Sequence, residues 1–136
     1  MEEHYALHVI EKRKPTGITI LLMKPTKLEP TEKQIQDFTI ELLNKAGWFV
    51  WRNNTGSFAI GEAGHKRWFR SGIKGSADII GVTPTGHMAA VEVKRNKNKK
   101  PSIDQALFLD EIRKRGGVAV VVDSIDSALE LVRNTT

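Results

Sequence analysis

The chain has 136 residues and a mass of 15.2 kDa, 40% of its residues are apolar, and it contains no cysteine. This length fits one compact domain, and the absence of cysteine excludes disulfide scaffolds and thiolate zinc sites. No apolar run approaches the roughly 20 residues that span a bilayer, and the acidic first residues do not resemble a signal peptide. We therefore expect a cytoplasmic protein without a membrane segment.

The basic residues are unevenly distributed. There are 21 basic and 16 acidic residues, a formal charge of +5, and the excess lies in two windows, 52–74 and 94–100. Such clusters attract polyanions, most commonly nucleic acid, although a solvated basic face is the alternative. The candidate nucleic-acid contacts are Arg52, Lys66, Arg67, Trp68, Arg70, Lys74, Arg95, Lys97, Lys99, Lys100 and Ser102.

The first part of the chain differs from the rest. Apolar residues alternate on both sides of the turn-like segment 14–17, which favours a β-hairpin. We place this N-terminal extension at residues 1–30 and the main domain at residues 31–136.

The main domain begins with a clear helix signal. Thr31 and Gln34 have the spacing of a capping box, and Gly47 ends the helical pattern. A strand is predicted directly after this glycine. Residues 53–74 then form a long connection, of a length typical of functional or mobile loops, in which a short strand at 67–70 is possible.

The second half alternates between strand and helix patterns. Two strands, at 77–82 and 87–94, are predicted to pair as an antiparallel hairpin. Ser102 starts a second helix, the apolar run 118–122 predicts a strand buried on both faces, and Ser124 starts a last helix. The order αβββαβα, with a crossover helix before a buried strand, predicts a mixed sheet with helices on both faces.

Two carboxylates and a lysine fall in the predicted hairpin: Asp78, Glu92 and Lys94. Because side chains alternate along a strand, Glu92 and Lys94 share one face, and the turn brings Asp78 near Glu92. Two adjacent carboxylates raise the pKa of one unless a cation lies between them, and hard oxygen ligands favour Mg²⁺ or Mn²⁺. A lysine there suits orienting a metal-bound water or neutralising charge on a phosphate, which indicates phosphodiester hydrolysis.

The same residues resemble a known nuclease signature. Asp78 followed by Glu92-Val93-Lys94 resembles the pattern of the PD-(D/E)xK superfamily. Gly72-Ile-Lys-Gly75-Ser-Ala-Asp78 resembles the GxxGxxD segment, and Pro101-Ser-Ile-Asp-Gln105 the PSxxQ-like segment, of the VRR-NUC (virus-type replication-repair nuclease) family. The resemblance covers roughly residues 31–122, and it departs from the superfamily at Ala77, where proline is usual.

The resemblance implies a fold and an activity. The fold is α/β and restriction-endonuclease-like, an αβββαβ core with a mixed central β-sheet flanked by helices. The activity is that of a Mg²⁺- or Mn²⁺-dependent DNA endonuclease, selective for Holliday junctions, flaps or other branched DNA, in replication, repair or recombination. Its setting would be a bacterial cell or a phage-infected host.

The resemblance also implies residue roles. Asp78, Glu92 and the carbonyl of Val93 would bind the metal, and Lys94 would position the nucleophilic water. Glu32, which matches a glutamate on the first helix of the family, would complete the metal shell directly or through water.

Two of the candidate residues have a simpler interpretation as well. Gln105 would orient Lys94 or a water, but it also stands three residues after Ser102 and so fits a capping box, and the two roles are compatible. Glu32 lies in a first helical turn, where the helix dipole favours any carboxylate.

Other functions are weighed against the nuclease. A non-catalytic nucleic-acid-binding module on a nuclease-like scaffold is the main alternative, although carboxylates facing phosphates disfavour pure binding. A restriction-type enzyme with base readout has little room for a recognition domain. Nucleoside triphosphate chemistry is not expected, because no GxxxxGK[ST] loop is present. Apolar residues on more than one face of the second helix predict a homodimer.

Overall fold

The computed structural model describes the backbone of residues 5–6, 9–14, 17–22 and 26–135, and the side chains of residues 28–135. The chain divides into two compact units, Met1–Pro30 and Thr31–Thr136. The first unit contains the strands β1 (Tyr5–Ala6), β2 (Val9–Lys14), β3 (Gly17–Leu22) and β4 (Thr26–Lys27). Strand β1 pairs antiparallel with β4, and β2 pairs antiparallel with β3. The two residues between β2 and β3, in the turn of the predicted hairpin, lie outside the described residues.

The second unit contains the main domain. Its elements are α1 (Glu32–Lys45), β5 (Phe49–Arg52), β6 (Gly56–Ile60), β7 (Arg67–Ser71), β8 (Ile79–Val82), β9 (Met88–Val93), α2 (Ile103–Lys114), β10 (Val118–Val122) and α3 (Ile125–Thr135). The three predicted helices and the predicted strands are all present. Strand β6 is an addition that the sequence did not predict, and it pairs antiparallel with β7 as a separate two-stranded hairpin.

Four strands form the central sheet, in the order β10-β9-β8-β5. Strand β8 is antiparallel to both β5 and β9, whereas β10 is parallel to β9 and follows the crossover helix α2. The sheet is therefore mixed, as predicted. The prediction that β10 is buried on both faces is only partly right: β10 is at the edge of the sheet, and only Ala119 and Val122 are buried there.

Helices cover both faces of the sheet. One cluster joins residues of α1 and α3 to the sheet face that carries Ile79, Val91 and Val93. A smaller cluster joins Leu109 of α2 to Ala90 on the opposite face. Each large apolar side chain that is fully buried in this way contributes roughly 1.5–3 kcal/mol.

Both predicted capping boxes are confirmed. The backbone amide of Gln34 donates to Thr31 Oγ1 over 3.2 Å, and the backbone amide of Thr31 donates back to Gln34 Oε1 over 2.8 Å. Ser102 and Gln105 repeat this exchange at the start of α2, with the same two distances. Each box satisfies amides that a helix start leaves unpaired, and the second also fixes the position of Gln105.

The pairing of β5 with β8 depends on a glycine. A Cβ atom at Gly81 would lie 2.1 Å from the carbonyl oxygen of Phe49 and 2.6 Å from the Cα atom of Val50. Because both contacts are with backbone, no side-chain rotation relieves them. Only glycine lets these strands approach as they do.

We expect Gly81→Ala to lower the free energy of unfolding by about 2 kcal/mol or more, because the strands must separate. Urea denaturation measures this loss. Gly56→Ala is the matched control, since a Cβ at Gly56 meets no atom within 4 Å. Equal stabilities of the two variants would contradict the observed pairing of β5 with β8.

Candidate active site

The ends of β8 and β9 bring the three predicted ionisable residues together. Asp78 lies one residue before β8, not inside it as predicted, and comes opposite Glu92 in the register that pairs Ile79 with Val91. Lys94 follows directly after β9, and its Nζ atom lies 3.1 Å from Glu92 Oε1. The Lys94 ammonium thus contacts one of two neighbouring carboxylates.

Glu92 is the most constrained member of this group. Its residue is only 1% exposed, and its Oε2 atom is buried without a hydrogen-bond partner in the described part of the chain. Burial, and secondarily the charge of Asp78, raise the pKa of Glu92 to about 7, while the Lys94 ammonium opposes this shift. A proton or a cation near Oε2 would offset the cost of burying this carboxylate.

Asp78 is tied to the neighbouring strand through its side chain. The Val93 amide donates a hydrogen bond of 2.8 Å to Asp78 Oδ2. Because this amide sits between Glu92 and Lys94, the bond fixes the Asp78 carboxylate relative to both of them.

Gln105 makes two contacts through one side-chain oxygen. Its Oε1 atom accepts a hydrogen bond of 2.8 Å from the Ser102 amide, which completes the capping box, and one of 3.0 Å from Lys94 Nζ. The start of α2 is thereby connected to the lysine. With contacts to Glu92 and Gln105, Lys94 is held in one place and only 15% of its side chain is exposed.

Glu32 is not part of this cluster in the structure. It is exposed in the first turn of α1, the helix that packs against the sheet face opposite to α2. Within residues 28–135, no three acidic, histidine or cysteine side chains lie close enough to hold one ion. The metal role of Glu32 stays a prediction.

The basic residues among the predicted nucleic-acid contacts divide into two groups. Arg52 forms an ion pair with Asp37, and Lys74 forms one with Asp104 at 2.8 Å, so part of each positive charge is already offset. The other basic candidates are exposed and make no ion pair within the described residues. They are Lys66, Arg67, Arg70, Arg95, Lys97, Lys99 and Lys100.

Asn53 is a positioning residue that the sequence analysis missed. Its side-chain amide donates 2.9 Å hydrogen bonds to Ser76 Oγ and to the carbonyl of Ala77. Its backbone amide donates one of 2.7 Å to the carbonyl of Asp78. It therefore holds the segment that carries the Asp78 carboxylate. An asparagine in a polar loop gives no sequence signal of such contacts across 24 residues.

The donor set fits a divalent metal ion. Asp78 and Glu92 supply hard carboxylate oxygens, and the unpartnered Oε2 atom of Glu92 is a buried acceptor that a cation would satisfy. The group contains no sulfur or imidazole ligand, which disfavours zinc.

Comparisons with known proteins identify the family of this chain. The family model for the VRR-NUC domain matches residues 30–126, more than half of the chain, so the protein belongs to the VRR-NUC family. It carries a nuclease-type domain.

Solved structures show the same fold. One, described as a VRR_NUC domain, has a TM-score of 0.57 and 24% identity, and the match covers 79% of this chain and all of that one. Another, described as a VRR_NUC domain protein, has a TM-score of 0.57 and 16% identity, and covers 79% of this chain and 89% of that one. No curated protein matches the sequence. Among the described helices, none is long and apolar enough to cross a membrane.

The raised pKa of Glu92 predicts how stability depends on pH. Between about pH 4.5 and 7 the folded protein keeps a proton on Glu92 that the unfolded chain has lost, so the free energy of unfolding falls as the pH rises. We expect a loss on the order of 1–3 kcal/mol across this range in buffer with chelator.

Urea denaturation from pH 5 to pH 7.5 measures this dependence, and Glu92→Gln should remove it. Glu41→Gln is the matched control, because an ion pair with Lys45 lowers the pKa of Glu41 and moves its titration below this range. Equal slopes for the wild type and Glu92→Gln would contradict the assignment.

Proposed function

We propose that this protein is a metal-dependent DNA endonuclease that hydrolyses phosphodiester bonds. The single observation that supports this most is Glu92, a buried carboxylate with an unpartnered oxygen, flanked by Asp78 and Lys94. A protein that only bound nucleic acid would have no use for two carboxylates in this position, since they repel phosphates. Membership of a nuclease family points the same way.

In this proposal, Asp78 and Glu92 hold Mg²⁺ or Mn²⁺, with the carbonyl of Val93 as a further ligand. The ion would stabilise negative charge on the phosphate and lower the pKa of a water molecule. The Val93 amide keeps Asp78 Oδ2 in a fixed direction. Glu32 remains a candidate ligand through water.

Lys94 is the proposed catalytic cation. Its ammonium group orients the attacking water and offsets the charge that develops on the phosphoryl oxygens. Gln105 is a positioning residue, because it contacts Lys94 and the start of α2 at the same oxygen.

The preferred substrate is proposed to be branched DNA, such as a Holliday junction or a flap, bound by a homodimer. Two exposed apolar residues of α2, Ile103 and Leu107, and a further pair on β5, Phe49 and Trp51, leave surface that a second subunit would cover. A two-fold axis would place two sites on a symmetric junction.

Cleavage of labelled four-way, flap, single-stranded and linear DNA with Mg²⁺ or Mn²⁺ tests the activity. We expect Asp78→Asn and Lys94→Met to slow cleavage at least about 100-fold. The first removes a charge that would hold the metal ion, and the second removes the cation that acts on the reacting phosphate. Asparagine still accepts the Val93 hydrogen bond, so Asp78→Asn separates charge from structure.

Lys45→Met is the matched control, since Lys45 lies in α1 and, among residues 28–135, forms an ion pair only with Glu41. If the wild type binds DNA but does not cleave it with either metal, the alternative hypothesis of a non-catalytic nucleic-acid-binding module is correct. Equal cleavage by all variants would mean that the activity belongs to a contaminant.

The exposed residues after Lys94 are expected to bind backbone phosphates. Lys97→Gln combined with Lys99→Gln should reduce the slope of log affinity against log salt by about 1–2, because up to two phosphate contacts are lost. Fluorescence anisotropy on linear duplex DNA in chelator measures the slope. The control pair is Lys33→Gln with Lys45→Gln, whose lysines are held in ion pairs on α1. An unchanged slope in the first variant would refute the contact.

A further inference from the structure

The hairpin β6–β7 carries large apolar side chains that the rest of the described structure leaves uncovered. Every residue of both strands is exposed, and the hairpin is not part of the central sheet. An isolated two-stranded hairpin is at best marginally stable, and exposed apolar patches usually mark a binding surface. The exposed apolar residues are Phe58, Ile60, Trp68 and Phe69.

The register of the hairpin separates two faces. Phe58 pairs with Phe69, and their rings stack at a centroid distance of 6.0 Å. The other face carries Trp68, together with Arg70 and its strand partner Ser57. Trp68 is 71% exposed and has no aromatic partner among residues 28–135. Its indole is therefore available as a stacking surface.

A polar depression continues this second face toward the base of the hairpin. Its polar lining includes Thr55, Ser57, Arg70, Ser71 and Lys74. Arg70 makes no ion pair within the described residues, and Lys74 is held at the rim by its ion pair with Asp104. Two cations and several hydroxyl groups around one depression suit a phosphate.

The base of the hairpin is attached to the active site at two points. Asn53, three residues before β6, bonds to residues 76–78. Gly75, with φ +78, approaches Asp104 so closely that a Cβ there would lie 2.4 Å from the Asp104 carbonyl carbon. Asp104 directly precedes Gln105, which contacts Lys94. The depression therefore lies beside the segment that carries Asp78 and beside the start of α2. Asp78, Glu92 and Lys94 are called the carboxylate–lysine group below.

The composition of this surface favours unpaired nucleotides over duplex DNA. An exposed indole stacks only on a base whose face is open, and duplex bases are covered by their neighbours. The segment 56–75 has four basic residues and one acidic residue, so its charge is complementary to a phosphate backbone.

We propose that the β6–β7 hairpin binds an unpaired nucleic-acid strand beside the active site, with a base stacked on Trp68 and a phosphate in the depression between Arg70 and Lys74. The inference rests on the proposed nuclease function and specifies its substrate: DNA in which a single-stranded segment adjoins a duplex.

The test measures binding in chelator, so that it does not depend on cleavage. Fluorescence anisotropy compares a labelled single strand, a flap and a blunt duplex of the same sequence. We expect Trp68→Ala to weaken binding of the single strand and the flap about 5- to 100-fold, and to leave the blunt duplex unchanged. Trp68→Phe should restore most of the affinity. Met88→Ala is the control, because Met88 is also a large exposed apolar residue but lies on β9, outside the hairpin.

Three outcomes would overturn the inference. Trp68→Ala could bind all three DNAs like the wild type, or it could lose affinity for the blunt duplex as much as for the single strand. Sedimentation could also show that Trp68→Ala changes a monomer–dimer equilibrium while DNA binding is unchanged, which would make a second copy of the chain the occupant. If the wild type binds as expected but cleaves no DNA with Mg²⁺ or Mn²⁺, the nuclease proposal fails. The binding of an unpaired strand by the hairpin is then upheld, and its role as a nuclease substrate is refuted.

Discussion

The burial of Glu92 in an otherwise apolar strand is the constraint around which the rest of the site is arranged. Its neighbours Val91 and Val93 belong to the core, and a carboxylate at that position destabilises the fold unless its charge is compensated. Lys94 supplies part of that compensation, and Gln105 keeps Lys94 from turning to solvent. A buried carboxylate that destabilises the fold is typical of functional sites, where a residue is kept for its chemical role although it lowers stability.

One side-chain oxygen serves both to cap a helix and to position the buried lysine. Gln105 Oε1 satisfies the Ser102 amide and contacts Lys94, so the geometry of a helix start sets the position of a side chain on another element. Helix α2 is the next element after β9 and leads into β10, which is parallel to β9. The crossover helix that makes the sheet mixed therefore also carries Gln105, which contacts Lys94.

Much of this could be predicted from the sequence because the signals are local. Capping boxes, β-branched runs and the Asp78, Glu92 and Lys94 pattern depend on residues close in the chain or on one hairpin, and the register then brings them together. Strand β6 was missed because the segment Gly56–Ile60 has a glycine, a serine and an alanine among five residues and no alternation. Glu32 was assigned by family resemblance, and its distance from the cluster is a matter of tertiary packing that no local pattern encodes.

The contacts of Asn53 have a consequence for how this fold can change. They close the polypeptide between β5 and β8 at its base, so the central sheet does not rely on residues 56–71 for its pairing. The hairpin is in this sense an exchangeable cassette: it could be shortened, lengthened or replaced while the four strands and the carboxylate–lysine group stay in place. Substrate preference and catalytic machinery would then evolve on separate parts of one small domain.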